Sequence, residues 1–157
     1  MRLGLWGGEE QGLLGAASQG ASALATIQSQ LASYITEAQD PLTTPARITE
    51  LKTLFQDAVN DANQLVTDAQ FGTENLLDGS IGAAISVTIK SSGQSVTLRT
   101  LDLNNGVLDN LAVANTAFQT DNFAGAQTSR QASGTALSAA QLQLNQDAQI
   151  LSTGLAS

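Results

Sequence analysis

Residues 68–80 read DAQFGTENLLDGS, and the arrangement of the whole chain turns on them. A regular apolar repeat runs up to this stretch, and a segment of alternating apolar residues begins just beyond it. A helix therefore ends here, a strand begins, and the chain must turn a corner. Phe71 stands where the stripe of the preceding helix runs out. Leu76 and Leu77 can bury beneath the turn, each contributing roughly 1.5–3 kcal/mol if fully enclosed. Gly72 and Gly79 give the backbone the freedom that a sharp change of direction needs. The stretch holds no His, no Cys and no cluster suited to catalysis, so it is expected to have a structural job.

The segment leading into the corner carries the clearest periodicity in the chain. Ile48, Leu51, Phe55, Ala58, Ala62, Leu65 and Ala69 recur at alternating spacings of three and four, which places them on one helical stripe. Thr44 followed by Pro45 is a start signal: a side-chain oxygen to cap the first turn and a proline with its φ already set. A helix over 45–70 follows, its outer face carrying Arg47, Glu50, Lys52, Asp57, Asp61 and Asp68. Ahead of it, Ala17, Ala21, Leu24, Ile27, Leu31 and Tyr34 predict an earlier helix over 13–40, roughly 40 Å long at 1.5 Å per residue. Pro41 closes it. The short loop between the two helices makes them pack antiparallel or cross steeply. Residues 1–12 read as an irregular lead-in.

Beyond the corner the period falls to two. Ile85, Val87 and Ile89 alternate, then Val96 and Leu98, with Gly93 between them. A hairpin over 84–91 and 94–101 is expected, and because a lone hairpin is marginal in water it must rest on the helices. Residues 102–110, DLNNGVLDN, superficially resemble part of a calcium loop. The glycine comes too early and the distal Glu is missing, which leaves an ordinary Asn-Gly turn. The path of residues 104–123 stays open, with 107–118 readable as a short helix. Leu137, Gln141, Leu144, Ala148, Leu151 and Leu155 predict a last helix over 124–155. The fold class is then mainly α. One elongated domain over 1–157 holds three long helices, with the hairpin packed at one end and both chain termini at the same end.

Composition narrows the function. Fourteen acidic residues against six basic ones give a net charge of −8, which disfavours nucleic acid and anionic membrane surfaces. No Cys and no His occur, so thiolate chemistry, a Ser-His-Asp triad and the usual zinc sites are excluded. No run of about 18 apolar residues exists to span a membrane, and residues 1–12 lack the apolar core of a cleaved signal. Asp57 and Asp61 share a helical face and could pair as acid and base. A solvated face explains them better, since no apolar surround is evident to raise a carboxylate's pKa. No catalytic, cofactor or metal residue is expected.

The helix end and corner, DAVNDANQLVTDAQFGTENLLDGS, resemble the segment of bacterial flagellins that ends the second outer-core helix. Gln70 and Phe71 match the family's turn; Leu76, Leu77, Asp78 and Gly79 match its Leu-Leu-Asp-Gly run. Asn60 stands where a similar Asn often does. Gly72 and Thr73 depart from the usual Asn-Gly pair. The stretch GASALATIQSQLASYITEAQD is similar to the end of the family's first long helix, and SVTIKSSGQSVTLRTLDL to the hairpin after the corner. The resemblance is good over 13–103 and weak beyond.

It implies an outer-core rod of a flagellar filament subunit, exported without a cleaved signal and located in the extracellular flagellum. Its partners would be other copies or related flagellar subunits, with an export chaperone allowed. The family's inner-tube stretches, an Arg-Leu-Ser-Ser-Gly and an Asp-Asp-Ala-Ala-Gly, do not occur in these residues. The expectation is an outer-core fragment, monomeric in solution. Residues 24–39 carry no Arg or Lys, which implies weak or no activation of the Toll-like receptor that detects many flagellins. Two other readings stand beside this one: a hook–filament junction protein of the same architecture, and a helical adhesion or binding module.

Overall fold

Thr44 and Pro45 start a helix in the way their chemistry requires. The Thr44 hydroxyl accepts from the Arg47 backbone N–H at 3.2 Å, with Pro45 in the first turn. The computed structural model describes the backbone of residues 3–5, 7–71, 74–79, 85–88, 95–98 and 101–156. Side chains are described within 12–70, 75–79 and 101–150. In chain order the elements are β1 (Leu3–Leu5), α1 (Gly7–Gln39), α2 (Pro45–Asp68), β2 (Gln70–Phe71) and β3 (Glu74–Asn75). Then come β4 (Ile85–Thr88), β5 (Ser95–Leu98), an irregular turn at Asn104–Leu108, α3 (Asp109–Gln119) and α4 (Phe123–Ala156).

Among the described residues four helices form a ring. α1 packs on α2 and α4, and α3 on α2 and α4. Each neighbouring pair runs antiparallel, as its contacts require. Glu37 reaches Arg47 while Gly20 approaches Ala69. Gln119 and Asn115 bond to Lys52 and Gln56 of α2. Gln28 bonds to Ser133, with Ser18 beside Asn145 farther along the same seam. α1 and α4 are each about 50 Å long at 1.5 Å per residue, so the molecule is a rod, with α3 filling only the half that holds the α1–α2 loop.

Several expectations change. Within the expected lead-in over 1–12, the described residues are regular: Leu3–Leu5 pairs in parallel with β4, and α1 already begins at Gly7. The bundle has a fourth helix, α3, in the stretch the sequence left open. Two glycine-free turns of apolar residues, Leu111, Ala114 and Phe118, are fully buried there, enough to hold a helix that its 11 residues alone would not. β4 pairs antiparallel with β5, Ile85 opposite Leu98 and Thr88 opposite Ser95. The connection carrying Gly93 lies outside the described residues. With β1 the sheet has, among the described residues, three strands in the order β1-β4-β5.

The stripes are wider than the heptad suggests. On α2, Leu51, Phe55, Ala58 and Ala62 are buried, but so are Val59 and Val66, while Ile48 and Leu65 are half-buried. On α1 the stripe runs through fully buried Ile35 to buried Ala38, and Tyr34 is only half-buried. A helix of 3.6 residues per turn drifts across a strict 3.5 repeat, and a four-membered ring offers a broader face than a two-helix seam. On α4, Leu137 and Leu144 are buried with Ala140 between them. Gln141 and Ala148 are half-buried, and the Leu151 and Leu155 side chains lie outside the described residues. At the end near the α3–α4 turn, Phe118 stacks on Phe55 at 4.4 Å and meets Phe123 edge-on at 5.0 Å.

Candidate functional site

The corner is the most tightly built feature of the chain. β2 and β3 form a small antiparallel pair, Gln70 opposite Asn75 and Phe71 opposite Glu74. Leu76 and Leu77 are fully buried, and Asp78 is half-buried. The Phe71 side chain and Gly72 lie outside the described residues. Gly79 has φ +76°, and a Cβ there would sit 2.8 Å from the Asp102 carboxyl carbon. Both facts require glycine at this point.

The residue that organises the corner is Asn75, which sequence reasoning passed over. It is 2% exposed. Its Nδ2 donates to the Val66 carbonyl at 2.7 Å and the Thr67 carbonyl at 3.2 Å, while its Oδ1 accepts from Leu77 N–H at 2.7 Å. One side chain thus satisfies carbonyls orphaned at the end of α2 and fixes the turn that buries the two leucines. The signal available in the sequence was a lone Asn between Glu74 and Leu76 at a helix exit. A second strand of contacts zips the corner to residues 101–104. Leu101 and Leu103 N–H donate to the Leu76 and Leu77 carbonyls at 3.0 and 2.7 Å, and Gly79 N–H to Leu101 at 3.1 Å. α1 closes over the corner at Gly20, where an added Cβ would lie 2.9 Å from Ala69 Cβ and 3.1 Å from Leu77 Cδ1.

Two further polar devices set the rod. Gln28, 5% exposed, donates to Ser133 Oγ at 2.7 Å, and Ser133 donates on to the Val107 carbonyl at 2.9 Å. This pins α1, α4 and the 104–108 turn at one height. At the α1–α2 loop, Arg47 grips Glu37 through both carboxylate oxygens, at 2.5 and 3.0 Å, and reaches Glu50 at 3.0 Å. These hydrogen bonds hold the Glu37 carboxyl below its ordinary range and raise the Arg47 guanidinium above its own.

The candidate carboxylate pair, Asp57 and Asp61, is exposed on the outer face of α2, so neither group is desolvated as an acid catalyst would need. Among the described residues no three His, Cys, Asp or Glu side chains converge as a metal site would require, and no helix is long and apolar enough to cross a membrane. In the 102–110 loop, Asp102 is occupied by its neighbours: Oδ1 accepts from Asn104 N–H at 3.1 Å and Oδ2 from Asn105 Nδ2 at 2.7 Å. Gly106 takes φ +87°, the turn role expected of it.

The grooves along the rod are shallow and open. One, of about 450 Å³, follows the α1–α2 seam past Ala23, Ile27, Asp61 and Leu65. Another, of about 520 Å³, follows the α1–α4 seam past Gln28, Ser29, Arg130 and Gln131. Among the described residues, exposed large apolar side chains are scattered: Leu42 in the α1–α2 loop, Leu54 on α2, Val113 on α3, Leu142 and Ile150 on α4. Such a surface suits extended contact along a side better than enclosure of a small molecule.

No protein-family model and no curated protein sequence matches the chain. Among solved structures it is similar to the crystal structure of Bacillus cereus flagellin, with a TM-score of 0.67 at 14% identity, over 94% of this chain and 86% of that one. The chain therefore has a flagellin-like fold.

Proposed function

We propose that this protein is a structural subunit of a bacterial flagellar filament, its helical rod forming part of the filament wall. It works outside the cell, meets other copies of itself or related subunits along its length, and catalyses nothing. The observation that carries the reading is the fold likeness to a flagellin over nearly the whole chain, joined to the match of Gln70, Phe71, Leu76, Leu77, Asp78 and Gly79 to the family's corner. The surface supports it. Open grooves beside Ile27 and Gln28, with apolar side chains spaced singly along the rod, offer weak contacts that a lattice can sum.

Immunogold labelling of the producing cells, with antibody raised against the purified chain, tests this. Label along the whole filament is expected. Label confined to a point at the filament base would replace the reading with the junction protein. Label on the cell surface away from filaments would replace it with an adhesion module.

A further inference from the structure

Asn105-Gly106 is the one Asn-Gly pair in the chain, and the structure places it against the corner. Asn105 is exposed. Its Nδ2 donates to Asp102 Oδ2 at 2.7 Å and its backbone N–H to the Asp102 carbonyl at 3.2 Å. Asp102 in turn fills the space that a side chain on Gly79 would occupy. Asn104 Nδ2 reaches the Asp78 carbonyl at 3.0 Å. Two bonds to the Asp102 carboxylate, from Asn104 N–H at 3.1 Å and Asn105 Nδ2 at 2.7 Å, therefore link the 104–108 turn to the side chain that backs the corner.

We propose that Asn105 is a site of spontaneous, one-way modification gated by Asp102. The Gly106 backbone nitrogen attacks the Asn105 side-chain carbonyl carbon, losing its proton to solvent. The side-chain nitrogen takes up a proton from solvent and leaves as ammonia, and a five-membered succinimide forms. Water then opens the ring, leaving Asp or isoaspartate at position 105. Gly106 has no side chain to obstruct the approach. The native turn blocks it instead, because the Asn105 amide must leave Asp102 before its carbon can swing over the Gly106 nitrogen. Reaction therefore proceeds through local opening of an exposed turn. The product cannot close again as before: a carboxylate stands where a donor stood, facing Asp102, and like charges at that distance oppose each other. Each event fixes an opened turn beside the corner. The inference is independent of the filament reading.

The test is peptide mapping of the folded chain during incubation in mildly alkaline buffer. Trypsin releases residues 100–130, and fragmentation of that peptide assigns the mass gain among its asparagines. Wild type should convert slowly and at Asn105 first. Asp102→Ala should convert roughly tenfold faster or more, since a hydrogen bond to a charged group holds a turn closed by at least that factor. Wild type held unfolded in guanidinium should also convert faster, a comparison that decides the matter even if Asp102→Ala fails to fold. Equal rates in the folded and unfolded wild-type chain would overturn the gating. Absence of conversion at Asn105 in the unfolded chain would overturn the site.

Discussion

Asn75 shows how much one side chain can decide. It is buried, it answers two carbonyls at the end of α2, and it holds the Leu77 amide. Asn75→Ala leaves the buried Val66 carbonyl and the Leu77 N–H without this partner, while the Thr67 carbonyl keeps Gln70 Nε2 at 3.0 Å. It should lower unfolding stability by about 2–3 kcal/mol, read from the midpoint of a urea titration; a loss under half a kcal/mol would mean that the two leucines fix the turn unaided. At the α1–α2 loop, Glu37 gives a pH signature. Folding lowers its pKa through the Arg47 hydrogen bonds. The pairing therefore stabilises the fold above the ordinary Glu range near about 4.3 and is lost as pH falls through the folded-state value. Arg47 stays charged throughout. The Tm of Glu37→Gln should fall less than wild type's between neutral and acid pH, and parallel curves would remove Glu37 from the acid response. Gly79, Leu76 and Leu77 were legible in the sequence because a left-handed turn and a buried pair each demand a narrow residue class. Asn75 was not, because an Asn in a loop has many ordinary uses until its partners are known.

At the scale of elements, the helices were legible where apolar spacing repeats and blurred where packing overrides it. α2 announced itself through Thr44, Pro45 and the run from Ile48 to Leu65. α3 was legible only as an optional short helix over 107–118, since its 11 residues are too few to show a period, and its place comes from packing, with Leu111 and Ala114 fully buried and Phe118 stacked on Phe55. The lead-in was misread because Gly7, Gly8 and Gly12 lower helix propensity by about 1 kcal/mol each, and that penalty hides a helix continuing into its buried stretch at Leu13 and Leu14. The α1–α4 seam carries its own prediction. Gln28 and Ser133 form a buried polar link between the two helices. A double-mutant cycle on Gln28→Ala and Ser133→Ala should give a coupling energy of about 1 kcal/mol or more, with Ser133→Ala alone costing about 1–3 kcal/mol because the Val107 carbonyl loses its donor. Additive effects would show that the two residues sit together without depending on each other.

The whole molecule raises the question of whether a rod this long unfolds as one unit. The corner and the aromatic end are about 20 Å apart along α2, from Phe55 to Asp68. One continuous apolar core nevertheless runs from Leu13 through Leu51 and Phe55 to Leu76, Leu77 and Phe118, and α1 and α4 span its length. Small domains with a single core unfold in one step. Leu76→Ala at the corner should cost about 2–5 kcal/mol and Phe118→Ala at the far end about 3–5 kcal/mol. Each should shift the same transition, with far-UV circular dichroism and amide exchange in α3 reporting one midpoint. The alternative has its own signature. If the sheet end and the aromatic end were separate units, Leu76→Ala would produce a two-step curve in which α3 stays protected after the corner melts. A filament subunit needs the first behaviour, because lateral contacts spread along the rod can only add if the rod keeps its shape from end to end.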